Sequence, residues 1–173
     1  TLCLTAAVHG DELNGIEMVR RVMHDLDPGK VSGAVIGVPI VNVQGFRRGS
    51  RYLPDRRDLN RSFPGSKRGS LASRIARLFM DEIVAKCDFG IDLHTAATGR
   101  FNLPHVRGNF EDPQIYEMAQ AFAAPVFYHS KGQDGTIRKA ANKAGKPVIL
   151  YEGGEAGRFE NEPIQIGVAG IQR

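Results

Sequence analysis

Apolar and polar positions follow two rhythms along this chain. Leu2 to Val8 is a short apolar run that predicts a strand, and Leu13, Ile16, Val19, Val22, Met23 and Leu26 then recur at helical spacing. A helix therefore follows directly and ends before Pro28-Gly29. Val31 to Val43 is rich in β-branched residues and reads as a second strand region, with Pro39 marking an edge position or an irregularity near its end. From Gln44 to Gly69 periodicity is lost in a stretch rich in arginine, glycine, proline, aspartate and asparagine. A loop that long inside a compact domain is functional or disordered, and Tyr52, Leu53, Leu59 and Phe63 offer packing anchors that favour function.

Ser70 can cap a second helix whose apolar face is Leu71, Ile75, Leu78, Phe79, Ile83 and Val84. Asp88 to Leu93 predicts a third strand that delivers His94 at its end. Asp112-Pro113 supplies the N-cap and first-turn proline of another helix, with Ile115, Met118 and Phe122 inward. Pro125 to Tyr128 reads as a short strand, Gly135 to Ala144 as a helix, and Pro147 to Tyr151 as a strand ending at Glu152. Strands alternating with helices predict an α/β fold, a mixed and mostly parallel central sheet with helices on both faces.

At 173 residues the chain is one domain by length, and no run of about 18 apolar residues is present to span a membrane. It opens on Thr1 within a strand pattern, without methionine or signal peptide, and stops at Arg173 with no visible finishing element. One domain over residues 1–173, incomplete at both ends and part of a longer protein, is the expectation. Cys3 and Cys87 sit in apolar patterns and read as reduced, buried thiols, consistent with a cytoplasmic protein. The net charge of +4 does not argue for nucleic acid, because the basic residues are scattered and aromatics do not interleave with them. Arginine density peaks from Arg47 to Arg77, which suits recognition of carboxylates by guanidinium forks.

The candidate chemistry begins at Ala6-Ala7-Val8-His9-Gly10-Asp11-Glu12. A histidine and a glutamate three apart, just after a strand, can place an imidazole nitrogen and a carboxylate oxygen on one cation, with Gly10 easing the turn. His94 is a third candidate ligand. In open α/β sheets, sites lie beyond the carboxyl ends of strands, where His9, His94 and Glu152 are all expected. Two histidines and a carboxylate suit a catalytic zinc with a fourth position for water, and Asp92 can orient an imidazole from behind. The plainer alternative makes each histidine a surface or capping residue.

Taken together, HGDE after a strand, Asp58-Leu59-Asn60-Arg61-Ser62-Phe63-Pro64-Gly65, Asp92-Leu93-His94-Thr95, and Tyr151-Glu152-Gly153-Gly154 resemble the succinylglutamate desuccinylase/aspartoacylase family, which is similar in its catalytic domain to the zinc carboxypeptidases. The resemblance implies one zinc per chain on His9, Glu12 and His94, with Glu152 as general base and acid. It implies that Asn60 and Arg61 hold a substrate carboxylate and that Arg51 polarises the scissile carbonyl. Because the loop before Asp58 is longer than in aspartoacylase, Arg48 and Arg57 stay open for that last role. Arg138 stands about where the family has another substrate arginine. The resemblance also implies a β-rich C-terminal domain that shapes the pocket, and residues 1–173 are expected not to include it.

Three functions follow as alternatives: a zinc amidohydrolase deacylating a small N-acyl amino acid, a zinc carboxypeptidase acting on a peptide, and a non-catalytic zinc or ligand-binding module. Neither a membrane nor a nucleic acid is an expected partner. Glu155, three residues beyond Glu152, is the rival for the base. His24 is expected at the surface, and His105 and His129, in loop or strand-end contexts, could line the pocket but read more plainly as structural residues. Ser130 and Thr95 lack a nucleophile-elbow context, and Gly132 to Gly135 lacks the lysine of a phosphate loop.

Overall fold

The computed structural model describes all residues, Thr1–Arg173. Six strands form one sheet: β1 (Leu2–Ala6), β2 (Val35–Val38), β3 (Phe89–Ala96), β4 (Asn102–Gly108), β5 (Val126–His129) and β6 (Val148–Glu155), in the order β2-β1-β3-β6-β4-β5. β2, β1, β3 and β6 run parallel; β4 is antiparallel to β6, and β5 is parallel to β4. The sheet is thus mixed, as expected. Helices α1 (Asn14–Asp25), α2 (Val43–Phe46), α3 (Leu71–Glu82), α4 (Pro113–Phe122), α5 (Ile137–Lys143) and α6 (Asn161–Gln172) complete the fold. None of them is long and apolar enough to cross a membrane.

Successive strand residues point to opposite faces, and here the two faces have different jobs. Leu4, Ala6, Ile91, Leu93, Val106, Ile149 and Tyr151 enter one apolar core with Met18, Val19, Ile115, Phe122 and Ile164 from α1, α4 and α6. The alternate residues face the other way, where Val148 joins a second core with Phe63, Ala76, Phe79, Ile137 and Ala141 around α3 and α5. Toward the end of the strands this second face turns polar: Thr5, Asp92, His94 and Glu152 all stand on it.

Several boundaries differ from those expected. The region from Val31 to Val43 contains only a four-residue strand, because Pro39 lacks the N–H that a ladder needs. The backbone then runs beside the end of β1, with Val41 and Asn42 N–H donating to the carbonyls of Ala6 and Ala7. Asn42 next caps α2 by accepting from the Gly45 N–H at 2.8 Å. β3 and β6 both continue past their expected ends, so His94 and Glu152 lie within strands.

β4 and α6 lie where no element is expected. β4 contains Pro104 at the break in its ladder between Asn102 and His105, a position where proline is tolerated. α6 has no side-chain N-cap and carries Gly167 and Gly170, which let Met18 and Phe122 approach its backbone. Packing, not intrinsic propensity, holds it.

Candidate active site

The chain leaves β1 through Ala7, whose φ of 48° makes the turn, not through a strained Gly10. Gly10 is needed for another reason: a Cβ there would overlap the backbone of Gly45 and Phe46. The turn is closed by the Glu12 N–H donating to the His9 carbonyl, and it brings both side chains inward.

Glu12 sits between two imidazoles. Its Oε1 is 2.6 Å from His9 Nδ1, and its Oε2 is 2.8 Å from His94 Nδ1 while accepting from the Thr95 N–H. The three residues are only 2–4% exposed, and their ligand atoms lie within 4.8 Å of one another. His94 Nε2 is 2.8 Å from Asp92 Oδ2, and Asp92 Oδ1 accepts from Thr5 Oγ1 at 2.8 Å. His9 Nε2 is buried without an aligned hydrogen bond, although Asp58 Oδ1 lies 3.3 Å away. Each imidazole thus has a carboxylate behind it and a nitrogen directed at Glu12.

Burial alone would raise the Glu12 pKa, but the two imidazoles outweigh it and hold the carboxyl at about 2. Burial alone would lower the histidines; Asp92 and Glu12 nevertheless raise His94 well above its usual value, and Glu12 with Asp58 raises His9. The carboxylates of Glu12, Asp92 and Asp58 thus favour positive charge at the two imidazoles. A divalent cation would meet the same negative surroundings, so the donor set and its electrostatics fit a metal.

Glu152 is the β-partner of His94 and lies at the floor of a cleft of about 480 Å³. Glu155 does not line that cleft; its carboxylate accepts from the Gly99 N–H and pairs with Arg158. His105, read as structural with a place at the pocket left open, is the β4 partner of Glu152, with Nε2 3.4 Å from Glu152 Oε2. Arg107 Nη2 is 2.5 Å from the same oxygen. The alternation His105-Val106-Arg107 is the one signal that could have revealed this edge of the site, and Pro104 obscures it. His24 and His129 lie at the surface, as His24 was expected to.

Of the three arginines open for one role, Arg51 is the one beside the cluster. Its Nη1 is 3.2 Å from His9 Nδ1 and 3.5 Å from Glu12 Oε1, and its Nε and Nη2 are anchored on Asp58. Arg57 instead reaches toward Asp55 at the surface, and Arg48 is exposed outside the cleft. Asn60, Arg61 and Arg138 all line the cleft. Asn60 Oδ1 accepts from the Ile137 N–H at 2.9 Å, which ties the arginine-rich loop to α5 and leaves Nδ2 available. Arg138 is 5% exposed, and its guanidinium donates only to the Ser130 carbonyl and hydroxyl. Burial lowers its pKa, outweighing the opposite pull of the Asp92 charge, and Arg107 adds to the lowering. A buried guanidinium with no carboxylate partner is a ready receptor for an anionic group.

Residues 1–173 match the model of the succinylglutamate desuccinylase/aspartoacylase catalytic domain. The chain belongs to that family. It is similar to the N-alpha-acetyl-L-2,4-diaminobutyric acid deacetylase of Halomonas elongata, 32% identical over 99% of this chain and 52% of that protein. A succinylglutamate desuccinylase of Burkholderia cenocepacia is 37% identical over 92% of this chain and 50% of that protein. The crystal structure of a succinylglutamate desuccinylase/aspartoacylase from Rhodobacter sphaeroides superposes with a TM-score of 0.90 at 31% identity, covering 99% of this chain and 53% of that one. The chain therefore spans about half the length of the curated family members it matches.

Proposed function

We propose that this chain is the catalytic part of a zinc-dependent deacylase that hydrolyses the amide bond of an N-acylated amino acid or similar small carboxylate. The observation that carries the reading is the buried His9–Glu12–His94 cluster, whose His94 is the cross-strand partner of Glu152 in an arginine-lined cleft. The names of the two family members, a deacetylase of N-acetyl-diaminobutyric acid and a desuccinylase of succinylglutamate, support it. A cleft of this size lined by five arginines also suits a small anionic molecule better than an extended peptide.

His9, Glu12 and His94 would hold the metal, with Asp92 fixing the tautomer of His94 so that Nδ1 stays the free donor. Zinc, when bound, supplies a Lewis acid that lowers the pKa of a water toward roughly 7 and polarises a carbonyl oxygen. Glu152 takes a proton from the attacking water onto its carboxylate and returns it to the leaving nitrogen, since amine expulsion needs an acid. Arg51, held by Asp58, offers Nη1 to the negative charge growing on the carbonyl oxygen. Arg61, Arg138 and the Asn60 amide bind the carboxylate and fix the orientation of the scissile bond.

The test combines metal analysis with a panel of N-acetyl and N-succinyl amino acids bearing acidic, neutral and basic side chains. About one zinc per chain is expected, lost in His94→Ala. Turnover of at least one panel member should disappear in Glu152→Gln while the metal is kept. A folded, metal-loaded protein that hydrolyses nothing in the panel, or a folded protein that takes up no zinc, would overturn the reading.

A further inference from the structure

Two side chains of β4, His105 and Arg107, converge on Glu152 with Tyr128 of β5 behind them, and none is a metal ligand or a carboxylate-binding arginine in the reading above. Strand register brings them there. His105 is the β-partner of Glu152, while Arg107 is paired with Leu150 on one side and Tyr128 on the other, so they share one sheet face, on which Arg107 and Tyr128 line the cleft. His105 Nδ1 is 2.7 Å from the Leu103 carbonyl, which makes Nδ1 the donor and leaves Nε2 as an acceptor. Arg107 Nε donates to that Nε2 at 2.9 Å, and the guanidinium carbon lies 5.4 Å from the centroid of the Tyr128 ring.

Held on two sides, Arg107 brings Nη2 to 2.5 Å from Glu152 Oε2. That oxygen is fully buried, and the contact is an ion pair rather than an aligned hydrogen bond. His105 Nε2, 3.4 Å from the same oxygen, carries no proton in this tautomer, so the guanidinium makes the link. Glu152 keeps 15% of its side-chain surface exposed while Oε2 is sealed.

We propose that Arg107 is a positioning residue for Glu152, pinning Oε2 so that Oε1 is the oxygen offered to the cleft beside His94. The proposal builds on the reading of Glu152 as general base. A carboxylate free to rotate presents either oxygen at varying distance, and misplacement by about 1 Å can cost on the order of 100-fold in rate. His105 and Tyr128 then serve to keep the guanidinium from following a substrate anion into the cleft.

The test uses the full-length, zinc-loaded protein with Arg107→Met, Arg107→Lys, Glu152→Gln and the double variant Arg107→Met/Glu152→Gln. Arg107→Met should lower kcat about 10–100-fold with KM changed less than about threefold. Arg107→Lys, which keeps a point charge but not the fork, should recover about half of that loss on a logarithmic scale. The double variant should be no slower than Glu152→Gln, since Arg107 acts only through that carboxylate. In the metal-free protein each single change should lower Tm by about 2–6 °C, and the pair by no more than the larger single value.

A KM at least about tenfold higher with kcat unchanged would overturn the proposal and make Arg107 a substrate-binding residue. So would unchanged kcat and KM in Arg107→Met while Glu152→Gln is inactive. Activity retained in Glu152→Gln would instead remove the base itself, and the proposal with it. Should Arg107→Met not fold, His105→Phe, which deletes the Nε2 acceptor and keeps a ring, decides by the same criteria with an expected loss in kcat of about tenfold.

Discussion

Asp92→Asn separates the charge behind His94 from its shape. Asp92 is 1% exposed, with one oxygen on His94 Nε2 and the other on Thr5 Oγ1, both at 2.8 Å. An asparagine can occupy the same space, its oxygen accepting from His94 and its amide facing Thr5. Thr5 loses little, because its hydroxyl can turn toward the Ile91 carbonyl, 3.5 Å away. What disappears is the charge assistance. A hydrogen bond to a charged group contributes about 1.5–3 kcal/mol and a neutral one about 0.5–1.5, so the difference is about 1–1.5 kcal/mol. At about 1.4 kcal/mol per tenfold, zinc affinity should fall roughly tenfold. Asp92→Ala, which removes orientation as well, should cost about 10–100-fold. Competition against a chromophoric chelator measures both, with thermal unfolding of the metal-free proteins as the check on folding. An Asp92→Asn affinity within about twofold of wild type would refute the reasoning.

Other outcomes follow from other parts of the molecule. Tyr151 is fully buried and donates to the Pro163 carbonyl at 2.7 Å on the face away from the cleft, so Tyr151→Phe should lower Tm by about 3–6 °C and leave turnover unchanged; a calorimetric shift below about 1 °C would contradict this. Arg138→Met removes a buried cation without a carboxylate partner, so KM for an N-acyl amino acid should rise at least about tenfold while Tm does not fall. Hydrogen bonds from Arg20 and Arg21 hold Glu17 near pKa 2, against a usual 4.5. Its folded pKa is depressed, so its stabilising effect is present above pH 4.5 and fades as the pH falls toward 2. The Tm gap between wild type and Glu17→Gln, small because the pair is at the surface, should close over that window.

Legibility tracks how many independent constraints each segment carries. α1, α3 and α4 announce themselves through apolar periodicity, and Ser70 and Asp112 do cap the latter two, each accepting from backbone N–H groups. The cluster residues were legible for a similar reason, since His9 and Glu12 share one turn and His94 lies in a strand. Asp92 and His94 alternate with Ile91 and Leu93, a pattern that requires one polar and one apolar face. β4 escaped because Pro104 interrupts an otherwise alternating run, and α6 because its stability comes from partners distant in sequence. Which of Arg48, Arg51 and Arg57 lies beside the cluster depends on which one Asp58 reaches back to hold. That is a matter of three-dimensional closure in a loop without periodicity.

The change of strand direction at β6 gives the site two kinds of wall. On the parallel side, strands approach the rim in one direction, and the turn after β1 supplies His9 and Glu12 while β3 supplies His94. On the other side β4 runs the opposite way, so its central residue His105 lies level with Glu152 and Arg107 level with Leu150. A parallel neighbour would have met Glu152 near its own carboxyl end and left that flank to a loop. The same alternation fills the core beneath: Ile91, Leu93, Val106, Ile149 and Tyr151 are buried because Asp92, His94, Arg107, Leu150 and Glu152 are not on their face. A slip of one residue in any of these strands would exchange the two sets, sending carboxylates and imidazoles into an apolar layer. The free energy of the apolar core therefore acts as the register lock of the polar site. Substitutions that loosen that core should disturb the cluster even where they lie on the far side of the sheet from it.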